Sequence, residues 1–248
     1  MPYRTDLAYV YDGSFAGLLC CVHESYYQRE LPFIIYDYDH PQDSLFAPKE
    51  IFTDPANAQK VEISITNSIS KDALEMVRMC YLSNVEGKEL AILHFLRLGF
   101  KVGKGVVDML AHDAVHKVAK AAQNVGGEAH LYRGFLRFSE YNGGLVAVFA
   151  PKNFILPIFA PHFCDRMPDE HFLIYDKTHK HAFIHQNGEK ALIPIDNLEL
   201  PEADEGEKMY RALWKQFYNT IAIEGRIKPK LQANNLPKRY RNHLTEFS

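Results

Sequence analysis

Cysteine is scarce, and cationic charge is not in excess. The 248 residues hold four cysteines, Cys20, Cys21, Cys80 and Cys164, and no CxxC pair. That argues against a disulfide framework and against a zinc site built mainly of cysteine. It fits a reducing cytoplasm, the expected location. Lys and Arg number 28 against 31 Asp and Glu, so a net charge of −3 does not announce a polyanion binder. A long unbroken hydrophobic run is missing as well. The most apolar stretch, 143–163, is interrupted by Pro151, Lys152, Asn153, Pro157 and Pro161. A membrane span needs about 20 mostly apolar residues, so no membrane association is expected. The opening Met-Pro-Tyr-Arg-Thr-Asp lacks the basic-then-apolar layout of a signal peptide. Internal repeats, low-complexity tracts, a GxGxxG and a P-loop are all lacking.

A composition of 47% hydrophobic and 24% charged residues predicts a packed core. Leu7–Tyr11 reads as a strand, and Ser14 opens a helix carrying Phe15, Leu18, Leu19, Val22 and Tyr26. Leu31–Tyr38 reads as a second strand and Pro41–Pro55 as loop. The alternation of Val61, Ile63 and Ile65 predicts a half-buried strand. Ser70 caps a helix bearing Leu74, Val77 and Tyr81, and Leu90–Phe100 reads as a buried helix. Val107, Leu110, Ala114, Val115 and Val118 predict an amphipathic helix that Gly126-Gly127 ends.

After that point strands are expected at His130–Phe138 and Leu145–Phe149, around an Asn142-Gly143-Gly144 hairpin. Asn153–Phe163 fits either a helix or a buried strand. Phe172–Asp176 and Ala182–His185 are further strands, and Gln186-Asn187-Gly188 is a turn. Pro194–Glu207 is an acidic linker. Tyr210, Leu213, Trp214, Phe217 and Ile221 form a helical apolar stripe, and Pro237 opens a short final helix. The expected class is α+β, with an antiparallel sheet in the second half surrounded by helices. The expected organisation is an N-terminal strand–helix region over 1–86 and a core over 87–248. These form one compact unit, with softer seams near 84–88 or 126–127.

Four constellations carry possible chemistry. Glu224–Ser248 holds Arg226, Lys228, Lys230, Lys238, Arg239 and Arg241 against Glu224 and Glu246, a net of +4. Such cations suit a phosphate backbone, and Tyr240 among them suits stacking on a base; the competing reading is a solvated face. In Ala160–Arg166, His162 and Asp165 suit an acid–base pair, His162, Cys164 and Asp165 suit a metal, and Arg166 suits a phosphate. A structural role for His162 is the stronger reading. Asp108, His112 and His116 recur every four residues, as a metal-binding row or a solvent-facing one. Asp12-Gly13-Ser14 is either a phosphate-attracting helix start or an ordinary turn. His179 and His181 look like a hairpin tip.

Several segments recur together in a known order. They are Tyr11-Asp12-Gly13-Ser14-Phe15, His130-Leu131-Tyr132-Arg133-Gly134-Phe135-Leu136-Arg137-Phe138, Ala160-Pro161-His162-Phe163 with Arg166, and Ile174-Tyr175-Asp176. Trp214 through Ile221-Ala222-Ile223, Arg226, Lys230-Leu231, Pro237 and Arg239-Tyr240 complete the series. In these the chain resembles a bacterial family of DNA-metabolism or DNA-repair proteins carrying a domain of unknown function. The likeness spans nearly the whole chain and is densest from about Glu128 onward. That family is associated with a radical SAM protein of DNA modification or repair encoded alongside it, and related domains occur fused to uracil-DNA-glycosylase-like domains. The resemblance therefore implies a DNA-binding role beside a radical SAM partner. It carries over no catalytic residues, although Arg137, His162, Arg166 and Arg239 match motif positions. The three-cysteine motif of radical SAM enzymes is lacking, so no cofactor of its own is expected.

The expected function is a DNA-metabolism or repair protein that binds nucleic acid through Arg137, Arg166, Arg226, Lys228, Lys230, Lys238, Arg239, Tyr240 and Arg241. One alternative is a hydrolytic or base-modifying enzyme acting on damaged nucleotides with His162 and Asp165. Another is a non-catalytic protein-interaction adaptor.

Overall fold

The computed structural model describes residues 3–44, 46–141, 143–200, 205–221, 230, 234, 236–241, 244 and 247. It divides the chain into two compact units, Met1–Gly126 and Gly127–Ser248. It is an α+β structure with a separate sheet in each half.

The first unit starts from strand β1 (Ala8–Tyr11), which is almost wholly buried. Asp12, Gly13 and Ser14 then turn the chain into helix α1 (Phe15–Tyr27). The Ser14 hydroxyl accepts the Gly17 amide and caps the helix. Strands β2 (Ile34–Asp37) and β3 (Pro48–Glu50) flank β1 in the parallel order β2-β1-β3. β3 lies inside the segment expected to be loop.

The expected strand at Val61–Ile65 is instead part of helix α2 (Pro55–Ser68). Asp54 caps it and Pro55 sits in its first turn, a start signal that the local alternation obscures. Ala58, Val61 and Ile65 share the buried face at helical spacing, while Ile63 is 52% exposed on the other side. Helix α3 (Lys71–Tyr81) is capped by the Ser70 hydroxyl, as its sequence predicts. Helix α4 (Lys88–Val102) buries Ile92, Leu93, Phe95 and Leu96 in a core shared with Tyr9, Leu18, Ile35, Ile65 and Val77.

A 3-10 segment, Gly103–Asp108, takes up Val107 before helix α5 (Asp113–Phe135) begins. Gly126-Gly127 does not end this 23-residue helix, and the strand expected from His130 is helical as far as Phe135. Val115, Val118, Ala121, Val125, Ala129 and Tyr132 keep a buried stripe at three- and four-residue spacing through the glycines. That burial outweighs a penalty of about 1 kcal/mol per interior glycine.

The second unit carries a five-stranded sheet in the order β4-β5-β6-β7-β8. Its strands are Ser139–Tyr141, Gly144–Phe149, Phe172–Asp176, His181–Gln186 and Glu189–Pro194. All pairings are antiparallel except β5 with β6. The parallel pair needs a crossover, and Asn153–Phe163 supplies it as two short helices, α6 (Leu156–Phe159) and α7 (Pro161–Arg166). Asn187 and Gly188 both take positive φ between β7 and β8, the geometry of a tight two-residue hairpin.

Helix α8 (Glu205–Ile221) follows, and α9 (Lys238–Arg241) is the last described helix. The aromatic interior joins Tyr132 to Phe149 at 4.9 Å, Phe149 to Phe159 at 4.9 Å and Tyr132 to Tyr240 at 4.8 Å between ring centroids. Among the described residues no helix is long and apolar enough to cross a membrane.

This packing sets two stability outcomes. A Cβ on Gly17 would stand 2.2 Å from Asp12 Oδ1 and 2.9 Å from Tyr11 Cδ2, whereas one on Gly127 meets nothing within 4 Å. Gly17→Ala should therefore lose about 1–3 kcal/mol. Gly127→Ala, in a helix interior, should gain about 0.5–1 kcal/mol. Calorimetric melting of the two variants checks the opposite signs. Tyr240→Ala empties an aromatic contact in the second unit and should cost about 3 kcal/mol, read by urea unfolding.

Candidate nucleic-acid interface

Arg226 and Lys228 lie outside the described residues. Lys230 and Lys238 are exposed. Arg239 and Arg241 are engaged with their own chain. Arg239 Nη2 donates to the Tyr240 hydroxyl at 2.5 Å, lies 3.9 Å from the Glu128 carboxylate, and its guanidinium covers the Tyr240 ring. Arg241 donates from Nε and Nη2 to the Leu236 carbonyl at 3.2 and 3.1 Å and lies over the Phe247 ring.

Tyr240, expected to offer its ring to a base, is only 2% exposed. It packs edge-on to Tyr132 and 5.5 Å from Phe135, so its ring serves the interior. Its apolar face is the reason: beside a helix rich in aromatics, burial outweighs a solvent-facing stack.

The second constellation is dispersed. His162 and Asp165 both lie on α7, but no hydrogen bond or ion pair joins them. His162 is half-buried with its ring against Phe163, while Asp165 and Arg166 are exposed. Burial pushes the Cys164 thiol up, which disfavours a thiolate ligand. The row of Asp108, His112 and His116 is broken too. Asp108 belongs to the 3-10 segment, and His112 Nδ1 accepts the Ala114 amide at 3.2 Å at the start of α5. Among the described residues no three metal-binding side chains cluster.

Asp176, from the Ile-Tyr-Asp motif, is fully buried. It accepts the amides of Thr178 and His179 and bonds His179 Nδ1 at 2.7 Å, which fixes the β6–β7 turn.

What the second unit does bring together is a cleft of about 400 Å³ lined by Arg137, Phe138, Glu207, Tyr210, Arg211 and Trp214. It lies where the end of α5 and strand β4 meet α8. Arg211 clamps α8 in place, donating from Nε to Glu207 at 2.7 Å and from Nη2 to the Ser139 hydroxyl at 2.7 Å. The Glu140 amide donates to the other Glu207 oxygen at 3.3 Å. Burial alone would raise the Glu207 carboxyl, but the donors from Arg211, Ser139 and Glu140 outweigh it and hold the group below its ordinary value.

Arg137 donates to the carbonyls of Gly134 and Leu136, so its guanidinium closes the end of α5 at the cleft wall. Phe138 anchors the floor by packing on Phe163 and Phe172. Tyr210 is 67% exposed and Trp214 41%, and Phe217 lies 5.8 Å beyond Trp214. The periodicity that predicts this stripe also predicts a buried face. Its sequence gives no partner for the stripe, and its exposure is the signal that marks the cleft.

The family model for a domain of unknown function, DUF4130, matches residues 86–246. No curated protein and no solved structure matches the chain. The matched residues contain every side chain that lines the cleft, and the chain belongs to the DUF4130 family.

Proposed function

We propose that this chain is a cytoplasmic DNA-metabolism or DNA-repair protein that binds nucleic acid and works with a radical SAM partner. The observation that carries the binding reading is the pair of solvent-facing rings, Tyr210 and Trp214, set beside the guanidinium groups of Arg137 and Arg211. Large exposed aromatics lose the burial that stabilises them elsewhere, and contiguous apolar patches mark interaction surfaces. A nucleobase fits this one, because every base has a π-face and guanidinium planes add cation–π attraction.

A base within a duplex keeps both faces stacked. The cleft therefore favours single-stranded DNA or an extruded base. Since Glu207 neutralises Arg211, the cleft itself attracts phosphate weakly, and the exposed Lys230 and Lys238 supply the backbone contacts. The radical SAM partnership rests on the family resemblance. The DNA-processing reaction is then the partner's, and this chain presents the strand.

Trp214 is the only tryptophan, so its emission reports on the cleft alone. Oligothymidylate should quench it, and Trp214→Ala should weaken single-strand binding about tenfold or more. Duplex of equal length should bind more weakly. Charge reversal at Arg226, Lys230 and Arg239 should flatten the salt dependence. Unquenched emission at saturation, or wild-type affinity in Trp214→Ala, would remove the cleft from the function.

A further inference from the structure

In the first unit, helices α1 and α2 pack side by side, and their facing residues differ in size. On α1, Val22, His23, Tyr26 and Tyr27 lie one turn apart in pairs. On α2, Lys60 and Val61 are followed one and two turns later by Ser64 and Ser68. Each set shares a helix face. Serines opposite tyrosines leave space, and a cavity of about 490 Å³ lies between these residues and Phe100 near the end of α4. Small-molecule sites span about 300–1,000 Å³.

The floor of the cavity is apolar, since Val22 and Val61 are 1% and 7% exposed. Its walls are rings that fix one another. The His23 and Tyr27 rings lie within 14° of parallel at 5.9 Å, and Tyr26 meets Phe100 edge-on at 5.6 Å. The Arg97 guanidinium stands 5.0 Å from the centre of the Tyr26 ring and donates to the Ser25 hydroxyl at 3.1 Å, which steadies that ring. Tyr27 is nevertheless 74% exposed. Contiguous rings left in water above an apolar floor mark a surface that a ligand covers.

Charge decides which ligand. Rings alone would suit a cation, but Lys60 lines the same cavity and opposes one. Lys60 is exposed, and its ammonium donates to the neutral Asn57 side-chain oxygen at 3.1 Å. Among the described residues no carboxylate pairs with it, and no acidic residue lines the cavity. The carboxylates nearest in sequence are spent elsewhere, Glu24 on Lys49 at 2.8 Å and Glu62 on Arg78. Ser64 directs its hydroxyl proton to the Lys60 carbonyl at 2.7 Å, so Lys60 is left as the charged donor of the site. A bare inorganic anion would meet this single cation and leave the rings and the valine floor unused.

We infer that the cavity between α1 and α2 binds a small planar aromatic acid, its ring against Tyr26, Tyr27, His23 and Phe100 above the valines and its carboxylate on Lys60 Nζ. Ring burial supplies most of the affinity, and the ammonium supplies the preference for an acid. No residue of this site belongs to the aromatic cleft.

Calorimetric titration of the full chain with 2-naphthoate tests it, with 2-naphthamide and acetate alongside. The amide keeps the rings and loses the charge, while acetate keeps the charge and loses the rings. Naphthoate should bind, naphthamide about fivefold more weakly, the scale of an exposed ion pair, and acetate not measurably. Lys60→Met should lower naphthoate to the affinity of naphthamide and leave naphthamide unchanged. Tyr27→Ala should weaken both aromatic ligands about tenfold. Both side chains are exposed, so both variants keep the fold. Trp214→Ala, in the aromatic cleft, should change neither affinity. Absent naphthoate binding, equal binding of naphthamide, wild-type affinity in Lys60→Met or Tyr27→Ala, or loss of binding in Trp214→Ala overturns the assignment.

Discussion

The carboxylate of Glu128 sits in the interior midway along α5 and is reached by three N–H groups. Lys152 and Asn153 donate their backbone amides at 3.1 and 2.9 Å, and the Asn153 side-chain amide donates at 2.6 Å. Hydrogen bonds to a charged group contribute about 1.5–3 kcal/mol each, and without the carboxylate two backbone amides would be left unpaired. This interaction decides where the chain runs after β5 and hence where the α6–α7 crossover begins. One turn further along α5, Tyr132 donates to the Ala150 carbonyl and receives Tyr240 against its ring. The last described helix is therefore seated on the surface that Glu128 organises, and Arg239 faces the same carboxylate at 3.9 Å. The end of α5, fixed in this way, delivers Arg137 and Phe138 to the cleft.

The chemistry of the cleft depends on how its charges are disposed. Arg211 and Glu207 pair while bracing α8 on β4, and Arg137 closes the end of α5. A surface built this way discriminates by stacking at short range more than by long-range attraction. The C-terminal cations offer less attraction than their number implies. Of the four described, the two arginines bond to Tyr240 and Leu236 of their own chain, and the two lysines stand exposed. For the proposed single-strand binding, these charges predict a salt dependence set by a few phosphates and an affinity set by rings.

Much of the fold was legible where local and tertiary preferences agree. The strands at Leu145–Phe149, Phe172–Asp176 and Ala182–His185 are marked by short apolar runs between turn residues, and Asn187-Gly188 marks its own hairpin. Ser14 and Ser70 announce their helices by caps that the structure retains. The failures share one cause. Val61, Ile63 and Ile65 satisfy both a period of two and a helix whose outer face tolerates one isoleucine, and Asp54-Pro55 settles the choice from seven residues upstream. Gly126-Gly127 reads as a stop only if the buried stripe on either side is treated as two stripes. The candidate site was legible only in fragments. Arg137 was readable as a motif residue. Its cleft partners lie about seventy positions further on, as the 72-residue separation of Ser139 and Arg211 shows, and no local pattern encodes that meeting.

A helix start after a parallel strand is the commonest phosphate cradle in α/β proteins, and one side chain reverses its chemistry here. Asp12 supplies the negative charge that a ligand would otherwise bring, and it consumes the Ser14 amide in doing so. Gly17 must lack a side chain for that carboxylate to sit where it does. Once the turn is internally neutralised, the same strand ends gather further acceptors. Asp37 stands against Gly13, at the end of β2. An edge whose helix start already holds a carboxylate disfavours an anion there. The carboxylate that occupies the helix start in the first unit, and the exposed rings of α8 in the second, are thus two separate consequences of where single side chains fall.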